Sequence, residues 1–337
     1  MKNHRAVAIA FFALACLALN AAWAADKVTV DNFVRAETDM TMKRYAAQGA
    51  FGKFLHIRGM TPVDKQDVIR MNRDTLYSAG VFDLTTPVTI TKPDPGKRFQ
   101  SMLVINQDHS MLPVEHGTGK FTLTRDKVGT RYVMVLLRTF ADPNDPADMK
   151  AANSLQDRVQ AEQASVGNLE IPEWDEASLR TVRDALNVLA ATKTDASGMF
   201  GDKAKLDPID HLLGTAYGWG GNPKEAAVYQ NGVPPMNDGQ TAYVLTARDV
   251  PVDGFWSITV YNAKGFMEPN DRNAYSVNNV TAKRSADGSV TVHFGGDPTA
   301  ANCLPITPGW GYVVRMYQPR KEAVDGTWRF PDAQPAK

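Results

Sequence analysis

The sequence predicts a mainly β protein with a helical middle, and three observations support that prediction. Short β-branched or aromatic runs separated by turn signals fill residues 81–139, a helix-forming stretch extends to residue 192, and β-type runs return from residue 241. Short runs of this kind with frequent turns are typical of antiparallel sandwiches. We therefore expect two β modules joined by a helical segment.

The first 24 residues have the features of a secretory signal peptide. A basic start is followed by an uncharged apolar run (6–19) and by the small-x-small site Ala22-Trp23-Ala24. The rival interpretations are an uncleaved anchor, for which the run is shorter than the ~20 residues that span a bilayer, and a lipoprotein at Cys16, which lies inside the run. We predict a periplasmic or secreted protein, cleaved near Ala24, with no stable membrane span afterwards.

Composition excludes several classes of partner and of chemistry. The 37 basic and 37 acidic residues cancel, which removes a general attraction to nucleic acid. Once the signal is removed, Cys303 has no second cysteine with which to form an internal disulfide. A hydrophobic content of 43% is enough for a substantial core. The sequence leaves the oligomeric state open.

The mature chain divides into three predicted parts. The first is an N-terminal β-sandwich module (25–141) with a leading helix over 31–48, which Gly49 ends. Proline-rich punctuation then opens a helical segment with a Gly/aromatic loop (142–238), in which 147–165 and 176–192 have helical composition or spacing. A second all-β module occupies 239–337.

Three stretches resemble a known family. They are NRDTLYS (72–78), VINQDH (104–109) and GFWSITVYN (254–262). Together they resemble a two-module family of exported bacterial proteins, in which domain of unknown function 1254 precedes domain of unknown function 1214. The resemblance runs from about Asn32 to Pro331. It implies an N-terminal β-sandwich, a helical middle and a C-terminal jelly-roll-like sandwich, and it names no reaction.

The first candidate site is the polar entry to a β run, with Asn72, Arg73, Asp74 and Tyr77. Asp74 has the chemistry of an acid, a base or a ligand acceptor, Arg73 that of a cation which keeps it ionised, and Tyr77 that of a hydrogen-bond donor. The structural alternative is an Arg73–Asp74 ion pair with Tyr77 in the core. Because adjacent strand residues point to opposite faces, we do not expect Arg73 and Asp74 to share one pocket.

The second candidate is Asp108 with His109, followed by His116. Such a cluster suits a base held by an acid, or a metal ligand. Its spacing matches no metal motif, so we predict no metal. The alternatives are a ligand-facing His109 and a hydrogen-bonded loop histidine.

The third candidate is the glycine-rich stretch 214–223, which carries Tyr217 and Trp219. It lacks the order of a phosphate-binding loop. Its aromatic side chains suit either stacking on a flat ligand or wedging two domains together.

The last candidate lies in the second β module. Its members carry amide, phenol or guanidinium groups that suit a polyhydroxylated ligand, and they are Tyr261, Asn262, Asn273, Tyr275, Arg315 and Tyr317. Arg315 and Tyr317, two residues apart on one strand, should face the same side of the sheet. The alternative is a structural loop in which asparagines cap turns.

Two functions fit these candidates. The first is an exported enzyme that uses Asp74, His109, Arg73 and Tyr77 for acid/base chemistry on a small polar or saccharide-like envelope substrate. The chain has no Gly-x-Ser-x-Gly elbow, so a hydrolase of that type is not indicated, and no cofactor motif is present. The second is a periplasmic protein that binds a ligand or organises the envelope without turnover. Both place the ligand in a cleft between the β modules.

Overall fold

The protein is described by a computed structural model that covers residues 25–66, 69–193 and 198–336. The predicted signal peptide lies outside these residues. The helices are α1 Phe33–Tyr45, α2 Arg125–Val128, α3 Pro146–Asp157, α4 Glu176–Ala190, α5 Pro208–Gly218 and α6 Lys321–Val324. The strands are β1 Phe54–Ile57, β2 Thr75–Asp83, β3 Val88–Lys92, β4 Gln100–Asn106, β5 Gly119–Leu123, β6 Tyr132–Phe140, β7 Gln160–Gln163, β8 Ala227–Gly232, β9 Tyr243–Ala247, β10 Trp256–Tyr261, β11 Ser276–Asn278, β12 Val290–Phe294, β13 Cys303–Leu304, β14 Gly311–Tyr317 and β15 Gln334–Pro335.

The helices begin and end where local sequence signals place them. The leading helix α1 continues as one π-helical turn, Ala46–Ala50, in which Gly49 has a φ of 98°. This left-handed conformation favours glycine and confirms the predicted stop. At the start of α4 the Asp175 carboxylate accepts the backbone N–H of Ser178, and at the start of α5 Asp207 caps Ile209 in the same way. Such caps satisfy donors that the first helical turn leaves free.

The first β module is a sandwich of two antiparallel sheets. One has the strand order β1-β2-β6-β4 and the other the order β5-β3-β7. Buried apolar side chains such as Phe82, Val104 and Val135 fill the space between them. Strand β7 differs from the helical composition of 147–165, because α3 ends at Asp157 and the following backbone pairs with the free edge of β3. Tertiary pairing outweighs local propensity here.

The helical segment covers the other face of the first sheet. Ala79 of β2 and Leu136 of β6 point to this face, where they pack with Met42 of α1 and with Trp219 after α5. Helices α4 and α5 contact each other and α1. The N-terminal half is therefore a three-layer arrangement of sheet, sheet and helices.

The second β module is also a sandwich, so the predicted mainly β fold is confirmed. Its sheets have the orders β11-β10-β14-β8 and β13-β12-β9-β15. Trp256, Val314, Phe294 and Trp310 lie in the core between them. Since successive residues of a strand alternate between faces, the neighbouring residues of β10 and β14 point away from this core.

The outward face of β10 and β14 packs against the first module. An aromatic cluster forms part of the contact, in which Phe255 stacks on Tyr317 with ring centroids 4.4 Å apart and Phe140 meets Phe255 at 4.9 Å. Phe99, just before β4, contacts the rings of both Phe255 and Tyr317. The polar residues discussed below lie along the same junction. No helix among the described residues has the length and apolar character needed to cross a membrane.

Candidate functional site at the module junction

Asp74 is buried at the junction, and the second module satisfies its carboxylate. Its side chain is only 2% exposed. One carboxylate oxygen accepts the Ser257 hydroxyl at 2.6 Å and the other accepts the Ser276 hydroxyl at 2.7 Å. Hydrogen bonds to a carboxylate are among the stronger ones in proteins. The geometry makes Asp74 an anchor between modules.

Arg315 lies in the same group of side chains, which we call the Asp74 centre (Asp74, Ser257, Ser276, Arg315 and Tyr261). Its guanidinium donates to the Thr259 hydroxyl at 3.1 Å, to the Tyr261 hydroxyl at 2.7 Å and to the backbone carbonyl of Arg70 at 2.7 Å. Tyr261 donates in turn to the Met71 carbonyl at 2.8 Å, and burial raises the pKa of this tyrosine. The Asp74 centre therefore pairs every hydrogen-bonding group that it brings into the junction.

Arg73 and Asp74 lie just before β2 and have separate contacts, and Arg73 lines a surface cleft. Its guanidinium donates to the Thr61 carbonyl and, at 3.2 Å, to the Asn273 side-chain oxygen. It also lies over the Tyr275 ring, 5.0 Å from the centroid. Burial lowers the pKa of Arg73. No carboxylate among the described residues forms an ion pair with it.

The cleft beside Arg73 has a volume of about 510 Å³. Arg73, Asp64 and Met149 line it from the first half of the chain, and Asn273 and Tyr275 line it from the second module. We call it the junction cleft. It joins one cation, one carboxylate, one amide and one phenol ring with apolar walls, a mixture that suits a small polar ligand.

A second polar group, which we call the arginine–tyrosine cluster, surrounds Arg138. It consists of Arg138, Tyr77, Tyr229, Tyr317, Asn72 and Asn222. Arg138 is directly opposite Tyr77 in the pairing of β6 with β2, and its guanidinium lies over that ring at 5.5 Å. The guanidinium donates to the Asn222 side-chain oxygen at 2.9 Å and to the Gly220 carbonyl at 2.6 Å. It is only 7% exposed.

The electrostatics of Arg138 are unusual for a buried cation. Burial by itself disfavours its charge, yet interactions with Tyr77, Tyr229 and Tyr317 raise its pKa above the usual arginine value. Burial raises the pKa of Tyr317 well above 10, so this phenol is neutral at physiological pH. Among the described residues no carboxylate forms an ion pair with Arg138.

The two asparagines of the cluster have defined orientations. The Asn72 side-chain oxygen accepts the backbone N–H of Asp74 at 2.7 Å, so its amide nitrogen must face the hydroxyls of Tyr317 at 3.0 Å and Tyr77 at 3.4 Å. The Asn222 oxygen accepts from Arg138, which turns its nitrogen toward the Tyr229 hydroxyl at 3.2 Å. The Tyr317 and Tyr229 oxygens therefore accept hydrogen bonds. Tyr77 shares the two Asn72 hydrogens with Tyr317 and with the Thr75 hydroxyl, which lies 3.1 Å from the Asn72 nitrogen.

His109 lies in a separate buried environment beneath the helical layer. Thr215 donates its hydroxyl hydrogen to the His211 carbonyl, so the Nδ1–H of His109 donates to the Thr215 oxygen at 2.8 Å. The Nε2 atom accepts the backbone N–H of Gly220 at 2.9 Å. Burial, with a smaller contribution from His211, lowers the pKa of His109 well below 6.5. Both ring nitrogens are occupied, and the ring is neutral.

This histidine positions part of the arginine–tyrosine cluster. Gly220, whose N–H it holds, has a φ of 74° and presents its carbonyl to Arg138. The His109 ring stacks between His211 and Trp219, with centroid distances of 5.5 and 5.3 Å. Trp219 donates its indole N–H to the Thr38 hydroxyl at 3.1 Å. His109 and Trp219 together fix the loop that follows α5.

The remaining predicted residues have separate contacts. Asp108 forms an ion pair with Arg35 instead of with His109. Tyr217 lies in the last turn of α5, so the first half of the predicted glycine-rich loop is helical instead, and its hydroxyl accepts from Arg70. Asn262 accepts the backbone N–H groups of Lys264 and Phe266, which is the turn-capping alternative.

The structure therefore gathers most, but not all, of the candidates at the junction. The Asp74 centre contains Asp74, Tyr261 and Arg315, the junction cleft contains Arg73, Asn273 and Tyr275, and the arginine–tyrosine cluster contains Asn72, Tyr77 and Tyr317. Asp74 and His109 do not contact each other. Within the described ranges, no group of three His, Cys, Asp or Glu side chains has metal-binding geometry.

Sequence reasoning missed Arg138, Asn222 and Tyr229. A signal for Arg138 was present, because it is the only charged residue in the apolar run YVMVLLRTF. A lone arginine in a fully buried strand marks a desolvated cation. Asn222 and Tyr229 lie beyond α5 and carry no comparable signal.

Two β-sandwich modules with a polar junction define the architectural class. Residues 51–163 match protein of unknown function DUF1254, and residues 229–321 match protein of unknown function DUF1214. The chain belongs to the family in which these two modules follow one another in this order, as the sequence resemblance indicates. No curated protein matches the chain in sequence.

Solved structures share the fold. The VPA0106 protein from Vibrio parahaemolyticus superposes with a TM-score of 0.66 at 16% identity, covering 91% of this chain and 98% of that chain. An uncharacterized protein from Burkholderia cenocepacia superposes with a TM-score of 0.51 at 15% identity, covering 91% of this chain and 87% of that chain. At such identities the likeness concerns architecture alone.

Proposed function

We propose that this is an exported protein that binds a small, polar, saccharide-like ligand in the junction cleft without turning it over. The observation that carries the proposal is Arg73, a partly buried guanidinium without a carboxylate partner among the described residues, which lies over Tyr275 in a cleft of about 510 Å³. Export rests on the basic start, the apolar run and the small-residue cleavage site of residues 1–24.

The composition of the cleft supports a ligand rich in hydroxyl groups. Arg73 and the Asn273 amide offer donors, Asp64 offers acceptors, and the Tyr275 ring offers a flat apolar surface. Saccharides combine hydroxyl groups with apolar ring faces, so this combination of groups suits them. Both modules contribute, which is where ligand sites often form.

The geometry favours binding over the acid/base enzyme. Both oxygens of Asp74 are engaged by serine hydroxyls, and both nitrogens of His109 are engaged by Thr215 and Gly220. Neither side chain lines the junction cleft. A general base must reach the proton that it abstracts, and these two groups are directed elsewhere.

The test uses the full chain expressed with its N-terminal segment. We expect recovery from the periplasmic fraction with a mature N-terminus at Ala25, and a melting temperature that rises on titration with glucose, N-acetylglucosamine or maltose. A ligand at a hundred times its Kd adds about 2.7 kcal/mol to the free energy of unfolding. Recovery in the cytoplasm with Met1 intact would contradict export.

The matched variants are Arg73→Gln in the cleft and Arg320→Gln on the surface. Arg320 pairs with Asp253 and is 56% exposed, so its replacement should leave both folding and sugar binding intact. Arg73→Gln should abolish the sugar response while the protein stays folded. A sugar response that survives Arg73→Gln, or the absence of a response to all three sugars, refutes the assignment of this cleft.

A further inference from the structure

The arginine–tyrosine cluster contains more hydrogen-bond donors than acceptors. The hydroxyls of Tyr229 and Tyr317 each accept an amide N–H, and the Tyr77 hydroxyl faces the Asn72 amide nitrogen at 3.4 Å. None of the three donates its own hydrogen to an acceptor within the described parts of the chain. The Arg138 guanidinium has five N–H groups, and its bonds to Asn222 and Gly220 use two of them.

The cluster also has excess positive charge. Asp74 and Arg315 are 2% and 4% exposed, and their opposite charges balance within the Asp74 centre. Arg138 has no such counterpart among the residues that the structure describes. An uncompensated buried charge is costly in a protein interior. One positive charge surrounded by phenol O–H groups is the complement of one negative charge with several acceptor sites.

The cluster reaches the protein surface at Tyr229. Tyr229 lies on the edge strand β8 and is 38% exposed. Tyr77 is half-buried, and so is Asn72. A ligand would reach the guanidinium, which is 7% exposed, from the side of the Tyr229 ring.

We propose that the arginine–tyrosine cluster binds the carboxylate group of a small organic acid. Arg138 supplies the countercharge, and the hydroxyls of Tyr77, Tyr229 and Tyr317 donate to the carboxylate oxygens. A carboxylate is planar, carries a single charge and offers about four lone-pair sites, which matches one guanidinium and three phenols. A phosphate or sulfate dianion would exceed the one unbalanced charge. This site is distinct from the junction cleft and goes beyond the function proposed for it.

The probe is sodium acetate, with acetamide as the neutral molecule of the same shape. Calorimetric titration of the full-length mature chain should show saturable acetate binding at one site per chain. Acetamide and sodium chloride at equal ionic strength should show none. Sodium sulfate and sodium phosphate form separate arms of the titration. Binding of either dianion without acetate binding overturns the carboxylate assignment, and equal binding of acetate and acetamide overturns the role of charge.

Variants connect the binding to the cluster. Tyr229→Phe removes one donor from the exposed side and should weaken acetate binding about tenfold, the value of a hydrogen bond to a charged group. The control is Tyr243→Phe, which removes a phenol whose hydroxyl accepts from the Met236 N–H in the second module. Tyr243→Phe should bind acetate as the unchanged protein does. Unchanged acetate affinity in Tyr229→Phe, or no saturable acetate binding to the unchanged protein, refutes the proposal.

Discussion

The Asp74 centre and the arginine–tyrosine cluster lie along the same module junction. They differ in how many of their polar groups have a hydrogen-bond partner or an opposite charge nearby. In the Asp74 centre both carboxylate oxygens accept serine hydroxyls, and the Arg315 guanidinium donates to three acceptors. In the arginine–tyrosine cluster, Arg138 has no carboxylate partner within the described residues. Buried polar groups that are fully satisfied add specificity and rigidity, whereas unsatisfied groups cost free energy.

The difference assigns different roles to the two groups. The Asp74 centre connects β2 to β10 and β11 through charged hydrogen bonds, so it holds the modules together. The arginine–tyrosine cluster joins the same modules but retains free donors, and that combination suits an external acceptor. Mutations that remove one member from each group should therefore affect stability differently.

The largest effect should come from Asp74→Ala. The substitution removes two hydrogen bonds to a charged group, each contributing about 1.5 to 3 kcal/mol, and leaves Arg315 without its neighbouring negative charge. We expect the free energy of unfolding to fall by about 3 to 5 kcal/mol in chemical denaturation. Asp74→Asn should lose less, because an amide can still accept from one serine and donate to the other.

The matched control is Asp253→Ala. Asp253 is 63% exposed and pairs with Arg320 at the surface, so its loss should cost about 0 to 1 kcal/mol. A loss below 1 kcal/mol in Asp74→Ala would show that the Asp74 centre does not hold the modules together, and the comparison would fail.

Strand alternation explains which parts of this junction were predictable from sequence. It placed Arg315 and Tyr317 on one face of β14, and the contacts of both residues agree. Arg73 and Asp74 also have separate contacts, but both lie just before β2, so alternation along a strand is not the reason. Local composition likewise identified both β modules and the helices α3 and α4, but not α5, whose last turns lie in the predicted glycine-rich stretch. These properties depend on residues close together in the chain.

The partners of these residues were not predictable in the same way. Ser257 and Ser276 are separated from Asp74 by 183 and 202 positions, and a serine in a strand carries no signal of the carboxylate that it will meet. The Asp108-His109 adjacency was misleading for a related reason. A turn directs the two side chains apart, Asp108 to Arg35 and His109, whose φ is 56°, to Thr215.

We expect an intermediate loss of stability on acidification. It involves two buried histidines: both ring nitrogens of His109 form hydrogen bonds, whereas the Nδ1 atom of His116 has no partner within the described residues. Burial lowers the pKa of His109 well below 6.5, and burial together with Lys92 lowers the pKa of His116 to about 4. Because the unfolded chain binds these protons more readily, their stabilisation is complete above pH 6.5 and is lost as the pH falls toward the folded-state pKa. His116 contributes about 2 kcal/mol of loss by pH 5, and His109 adds a loss of the same sign.

The variant His116→Leu separates the two histidines. The Nδ1 atom of His116 is buried without a hydrogen-bond partner in the described structure, so an apolar replacement should be well tolerated at pH 7. Between pH 7 and pH 5 the variant should then lose about 2 kcal/mol less of its free energy of unfolding than the unchanged protein does. If the pH dependence of unfolding is unchanged in His116→Leu, this histidine does not contribute to it.

The smallest change in the free energy of unfolding is expected for Arg138→Met. This variant tests directly whether Arg138 lacks the charge balance that Arg315 has. Removing an unpaired buried guanidinium relieves its desolvation cost, while Gly220 and Asn222 each lose a donor. These contributions oppose each other, so the free energy of unfolding without ligand should change by no more than about 1 kcal/mol.

Arg315→Met is the matched variant, because Arg315 is equally buried but has Asp74 nearby. Its loss leaves the Asp74 charge unbalanced and should cost about 3 to 5 kcal/mol. If denaturant titrations give the same loss of unfolding free energy for both variants, the charges of the two arginines are balanced to the same degree. Arg138 is then a structural cation.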